Sequence, residues 1–148
     1  VLTCAASLGL AQAAMDDALE RCAMRHVRGE ALGKPPQIEA KLADMSVKIR
    51  LMEAMLAKAA NSISDGETTD EQRLNCALMK YCVPRAATEV ADSAIQIFGG
   101  AGYTDRSRVG RIWRDCRGNQ IAQGTDEMMI HTVAKQLLKG HSFALTDI

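Results

Sequence analysis

The apolar residues Ile38, Leu42, Met45, Ile49, Met52, Leu56 and Ala59 recur at alternating steps of four and three. A strand cannot gather these positions on one side, because its side chains alternate with period two. A helix of 3.6 residues per turn does gather them, into a single stripe that must be covered by a core. Glu39, Asp44, Lys48, Glu53 and Lys58 lie largely off the stripe and are expected to face solvent. The helix is expected from about 37 to 62, and a lone helix of this kind depends on partners to bury its apolar face.

Three further segments can supply those partners. Residues from Val1 to about Val27 read as one long helix with Leu2, Leu8, Leu10, Met15, Leu19 and Cys22 among many alanines, stopped by the two glycines and two prolines of RGEALGKPP (28–36). NSISDGETTD (61–70) reads as a loop. Thr69 with Gln72 three residues on has the capping-box pattern, and the helix it opens runs to about Phe98 past Leu74, Leu78, Tyr81, Val90, Ala94 and Ile97. Pro84 inside it removes one ladder bond and should bend it. Gly99, Gly100 and Gly102 are expected to end it. A short helix is expected over 107–114, with Val109, Ile112 and Trp113 on one side. A last helix is expected from near Thr125 to Gly140, carrying Met128, Met129, His131, Thr132, Val133, Gln136 and Leu137. The β-branched residues form no alternating runs, so strands are poorly supported. The expectation is all-α: one domain over 1–148, folded as an antiparallel four-helix bundle.

The chain has 148 residues, 47% of them apolar, which allows a sizeable core. Eighteen basic residues balance eighteen acidic ones, so charge gives no reason to expect nucleic acid or an anionic membrane as partner. No apolar run reaches the roughly 20 residues that a membrane span needs. Cys4, Cys22, Cys76, Cys82 and Cys116 include no C-x-x-C pair, and read as reduced thiols of an intracellular protein filling small spaces in the core. The chain lacks an initiator methionine and reads as a piece cut from something longer.

Several residues stand out against this background. Asp16 and Asp17 are neighbours on a helix, so their side chains diverge, and they are expected on a solvated face. Asp126 and Glu127 sit where a helix N-terminus favours negative charge, and capping alone could account for them. His26, His131 and His141 show no ligand spacing, so no metal site is expected. QIFGGAGYT (96–104) follows a helix, not a strand, so it is no dinucleotide fingerprint; its bare N–H groups could still meet a phosphate. RSRVGRIWRDCR (106–117) holds five arginines, which read as solvated or as a surface for an anion or another subunit. Gln123, at the centre of NQIAQGTDEM (119–128), is an amide that cannot take up a proton near neutral pH.

The order QIFGGAGYT, arginine-rich helix, RD, then Q-G-T-D-E and an apolar helix resembles the C-terminal helical domain of the flavin-dependent acyl-CoA dehydrogenases. LGLAQAAMDDAL (8–19) and EAKLADM (39–45) are similar to that domain's first two helices. The resemblance implies the last part of a three-domain FAD enzyme that desaturates an acyl-CoA thioester. In such an enzyme a carboxylate takes the α-proton and the flavin takes the β-hydrogen as hydride. It implies a homo-oligomer (dimer or tetramer) with FAD lying across subunits, an electron-accepting flavoprotein as partner, and a cytoplasmic or mitochondrial-matrix location. By matched position, Gln96, Gly99 and Gly100 would meet the adenosine and phosphate end of a neighbouring subunit's FAD. Arg28 would pair with the pyrophosphate, and Thr125 and Glu127 would contact the cofactor. Ala122 and Gly124 would lie at the substrate. Ala122 replaces a tyrosine common at that place and implies a roomier pocket.

There are departures from the family pattern. The R-x-x-F-G of the family becomes R-G-E-A-L-G, with one more residue and Leu32 for Phe, and the stretch from Gly33 to Lys41 is about four residues shorter, so that the family's FAD-holding glutamine is either lost or replaced by Gln37. Gln123 occupies the position where many members carry the catalytic glutamate. It keeps the backbone N–H for the thioester oxygen but not the base. In branches with a small residue at that position the base lies on the first helix, which here falls about two residues before Val1. The contrasting expectation is a non-enzymatic binding or assembly module that kept the bundle and lost the chemistry.

Overall fold

The computed structural model describes residues 1–63 and 68–139. Along these residues the helices are α1 (Leu2–Met24), α2 (Pro36–Asn61), α3 (Asp70–Phe98), α4 (Gly100–Tyr103), α5 (Val109–Asn119) and α6 (Asp126–Leu138). A two-stranded antiparallel hairpin, β1 (His26–Val27) and β2 (Glu30–Ala31), sits between α1 and α2 with His26 opposite Ala31.

Polar links between the elements set their directions. Ser62 near the end of α2 accepts from Gln72 near the start of α3, and Lys48 pairs with Glu89, so α2 and α3 are antiparallel. α1 and α3 run parallel: the Cys4 thiol approaches the Met79 carbonyl at 3.9 Å, and the Arg21 guanidinium lies 5.3 Å over the Phe98 ring. α5 runs back along α1, with Arg108 on Asp17 and Asn119 on Ser7. α6 continues in that sense along the other half of α3, with Asp126 on Arg85 and Lys139 on Asp70. The fourth helix of the bundle is therefore made in two pieces, α5 and α6, interrupted over 120–125.

The α2 stripe is as the spacing requires. Met45, Ile49, Met52 and Ala59 are buried, and Ile38, Leu42 and Leu56 pack partly buried beside them. The capping box forms as well: Thr69 Oγ1 accepts the Gln72 N–H at 3.1 Å and Gln72 Oε1 accepts the Thr69 N–H at 2.7 Å. On α5, Val109 and Ile112 are buried with Trp113 partly covered, and Cys116 prolongs the stripe by a turn. That extra turn carries α5 to Asn119, beyond the expected end at 114.

α1 corrects the sequence reading in two ways. Its buried face is Cys4, Ser7, Ala11, Ala14, Ala18 and Cys22, whereas Leu2 and Leu19 are exposed, Leu2 at 82%. α1 packs on α3, where Ala87, Ala91 and Ala94 are also fully buried, and small residues on both helices suit a close approach. The large residues then point elsewhere. The helix also stops at Met24 and not Val27, because Arg28 (φ 53°) and Gly29 (φ 87°) both adopt left-handed backbone. That is the two-residue turn that suits the twist of a hairpin, and it generates the strands the sequence did not foretell.

Other expectations shift less. Gly99 ends α3 with φ 63°, but Gly100 and Gly102 belong to α4. Asp17 is not solvated: both its oxygens accept from Arg108, at 2.6 and 2.7 Å. α6 buries none of its described residues, and among the described elements it packs mainly on α3. Its expected end at Gly140, and His141, lie outside the described residues, as do positions 64–67 of the expected loop. Among the described residues no helix is long and apolar enough to cross a membrane.

Candidate functional site

The interruption between α5 and α6 is held in a defined backbone conformation. α5 tightens as it ends, the N–H of Ile121 and of Ala122 both reaching the Gly118 carbonyl, at 3.0 and 2.9 Å. Gln123 (φ 55°) and Gly124 (φ 106°) then take left-handed backbone. At Gln123 that conformation is uncommon for a residue with a side chain and costs on the order of 1–2 kcal/mol. A side chain at Gly124 would be strained and would strike the Met129 methyl at 2.8 Å. Thr125 starts α6, its Oγ1 accepting from the Met128 N–H at 3.4 Å.

Side chains from two other helices hold this stretch. Lys80 of α3 is buried (7% exposed), and its ammonium donates to the Asn119 carbonyl at 2.9 Å and the Gly124 carbonyl at 3.0 Å. Asn119 Nδ2 donates to Ser7 Oγ of α1 at 3.0 Å, and Gln120 Nε2 to Thr88 Oγ1 at 2.7 Å. Thr3 Oγ1 donates to the side-chain oxygen of Gln123. Among the described residues no protein acceptor receives the Gln123 N–H. Sequence reasoning missed Lys80, Ser7 and Asn119. Lys80 did leave a signal: with Ala77, Pro84, Ala87, Ala91 and Ala94 it forms the buried stripe of α3, where an ammonium is costly without a purpose.

A cavity of about 350 Å³ opens beside Gln123, with Thr3, Cys76, Lys80, Met129 and Thr132 in its wall. None of the described residues lining it is a carboxylate. Ala122, exposed, and Gly124, half-buried, lie next to Gln123 but not in that wall. Thr125 is half-buried and Glu127 exposed at the start of α6. The Glu127 carboxyl is held below its ordinary range by its own backbone N–H and then by the Thr125 hydroxyl. Asp126 does more than cap: its Oδ2 accepts from Arg85 at 3.0 Å, which raises the guanidinium's affinity for its proton, while its Oδ1 is buried without a partner among the described residues. Burial pushes up the thiols of Cys4, Cys22, Cys82 and Cys116, the last to about 12, so none of these four is a ready nucleophile.

The remaining candidates gather at one end of the bundle, because α1 and α3 are parallel and finish together. Arg28 is exposed in the hairpin turn and has no carboxylate partner among the described residues. It lines a cleft of about 570 Å³ that Gln37 and Glu30 also line. Gln96 is exposed on the last turn of α3, and Gly99 and Gly100 follow it in the open, with nothing within 4 Å of where a Cβ would stand. An uncommitted guanidinium and a bare glycine turn suit a phosphate-bearing group such as FAD. The arginine-rich α5 meets this end too, with Arg108 already committed to Asp17. The predicted residues thus form two groups, Arg28, Gln96, Gly99 and Gly100 at the end of the bundle, and Ala122, Gln123, Gly124, Thr125 and Glu127 at the break. Among the described residues no group of three His, Cys, Asp or Glu side chains is placed to hold a metal.

Residues 1–138 match the family model described as acyl-CoA dehydrogenase, C-terminal domain. A protein of Escherichia coli named probable acyl-CoA dehydrogenase YdiO is 40% identical over 141 residues, which are 95% of this chain and 36% of that protein. A solved acyl-CoA dehydrogenase from Slackia heliotrinireducens superposes with a TM-score of 0.82 at 47% identity, over 92% of this chain and 35% of that one. The butyryl-CoA dehydrogenase of Megasphaera elsdenii gives a TM-score of 0.86 at 34% identity, over 93% and 35%. The chain therefore spans about a third of the length of the relatives it matches.

Proposed function

The chain belongs to the acyl-CoA dehydrogenase family, through that family's C-terminal domain, and from this premise we propose that it is the FAD- and subunit-contacting part of an enzyme that desaturates an acyl-CoA thioester between its α and β carbons. The observation that carries the reading is the broken fourth helix, which sets Gln123 in a cavity wall with its N–H given no protein acceptor among the described residues. A donor set in place before the reaction stabilises the negative charge that gathers on a thioester oxygen as the α-proton leaves. Bound FAD would supply the hydride acceptor. Arg28, Gln96, Gly99 and Gly100 would hold its phosphate and adenosine end from a neighbouring subunit, and Thr125 and Glu127 would contact it at the break. Ala122 and Gly124 would border the substrate.

Gln123 does not take the proton. Its Oε1 accepts from Thr3, so the start of α1 lies over position 123. A residue about two places before Val1 would be four before Thr3, on the same helical face. A carboxylate there would reach the same substrate carbon from the α1 side. Exposed Val47, Leu51, Met128, Ile130 and Leu137 offer surface for further domains or copies, in keeping with a homo-oligomer. An electron-accepting flavoprotein would reoxidise the reduced cofactor.

The test is to read the sequence that precedes Val1 in the full-length protein and to purify that protein. A Glu or Asp within one turn, a yellow preparation and bleaching of the flavin by an acyl-CoA support the reading. An apolar stretch, and a colourless preparation that takes up no added FAD, would leave the other reading, a non-catalytic module derived from the family, which the untitratable Gln123 favours.

A further inference from the structure

Lys80 is the sole lysine buried among the described residues, and it faces no carboxylate there. Its partners are two backbone carbonyls, and they are the two that bound the break: Asn119 is the last residue of α5, and Gly124 directly precedes the Thr125 cap of α6. The final carbonyls of a helix lack intrahelical donors and carry the negative end of its dipole. Lys80 thus caps α5 from a neighbouring helix and, with the same ammonium, ties α5 to the residue before α6. Everything between the two anchors, including the left-handed Gln123, is a closed loop hung from one cation. Ser7 on Asn119 and Thr88 on Gln120 brace only the α5 side of that loop. The Gly124 side has Lys80, with Thr3 on the Gln123 side chain and Arg85 on Asp126 beside it.

We propose that Lys80 is a positioning residue, which fixes the break in the shape that presents the Gln123 N–H to the thioester oxygen. The role in turnover rests on the acyl-CoA reading above; the staple itself does not. Lys80→Met keeps most of the side-chain length and burial and removes the ammonium. Lys80→Arg keeps a charged donor. Both are compared with the parent in the flavin-bearing, full-length protein by amide hydrogen exchange and by steady-state kinetics with an acyl-CoA.

In Lys80→Met, exchange at the Gln120, Ile121 and Ala122 amides, which are hydrogen-bonded in the parent, should quicken at least about tenfold, since bonds to a charged donor outweigh that factor. Protection in α1, α2 and the rest of α3 should stay, as should flavin content. The kcat should fall by about 10- to 100-fold, the scale of a misplaced reacting group, with KM changing less. Lys80→Arg should restore part of both. Unchanged exchange at the 120–122 amides in Lys80→Met overturns the staple. Rapid exchange with unchanged kcat overturns its positioning role. A parent protein that takes up FAD but oxidises no acyl-CoA sinks the functional reading instead, and the exchange result still decides on the staple. Should Lys80→Met fail to fold, Lys80→Gln, a neutral donor of similar reach, carries the same comparison with the same deciding outcomes.

Discussion

A methyl group added at Gly102 tests the geometry of the glycine turn more sharply than any charge change. An alanine Cβ there would stand 2.8 Å from the Ile95 carbonyl oxygen, 2.8 Å from the Phe98 Cβ and 3.1 Å from the Ile95 Cα. Optimal carbon contacts lie near 3.5–4.0 Å, and none of these three atoms can swing aside by a rotamer change. α4 must therefore lift off the end of α3 by roughly 0.5–1 Å. Overpacking of this kind costs about 1–3 kcal/mol, offset by up to about 1 kcal/mol because alanine favours helix over glycine. The net loss is up to about 3 kcal/mol, and against a control that gains the same helix preference it is about 1–3 kcal/mol, or a melting temperature lower by roughly 2–12 °C for a chain of this size. Gly100→Ala is the matched control, since it is also in α4, its φ is not positive and its Cβ would meet nothing within 4 Å. That variant should melt at the parent's temperature or slightly higher. Urea and thermal midpoints for the pair decide the matter. Equal midpoints would mean that α4 yields without cost and that the close approach at Gly102 does not brace the turn.

Ser7→Ala should cost about 1–3 kcal/mol in urea unfolding, because Asn119 Nδ2 loses its acceptor in a half-buried place; a shift under roughly 0.3 kcal/mol would show that water replaces the hydroxyl freely. Burial holds the Cys116 thiol at about 12 against an ordinary 9.0. The unfolded chain gives up that proton first, so the stability is fully present below pH 9.0 and is lost as pH rises toward 12, by up to about 1.4 kcal/mol per unit. The alkaline slope of stability should be shallower in Cys116→Ala, and an identical slope refutes the assignment. Gln123→Glu should leave the urea midpoint within about 0.5 kcal/mol of the parent, as expected at an exposed site; a larger loss would mean that the amide itself supports the break.

How far the sequence could be read depended on whether large or small residues formed each buried face. The α2 stripe and the Thr69–Gln72 box were legible because bulky apolar positions and a cap leave periodic, local marks. The face of α1 was not, because alanine, serine and cysteine look neutral by hydropathy although it is their small size that lets α1 approach α3. The hairpin was hidden for a related reason: Arg28-Gly29 lacks the asparagine or aspartate that usually announces a left-handed turn. At the candidate site the family motifs marked Gln123 and the glycine turn, while Lys80 passed unnoticed. Its partners are carbonyls 39 and 44 residues away, and carbonyls have no letter in a sequence.

The exposed Gln123 side chain, met by one hydroxyl from Thr3, has a consequence for how such proteins diversify. The backbone around position 123 is tied down by residues elsewhere in the fold, so an unbranched side chain that tolerates the left-handed backbone can be exchanged there for another at small cost to folding. Acid, amide or small group can succeed one another at that spot over generations while the peptide donor beside it stays put. Custody of the substrate's proton can then pass from one wall of the cavity to the opposite one, and the scaffold registers no difference.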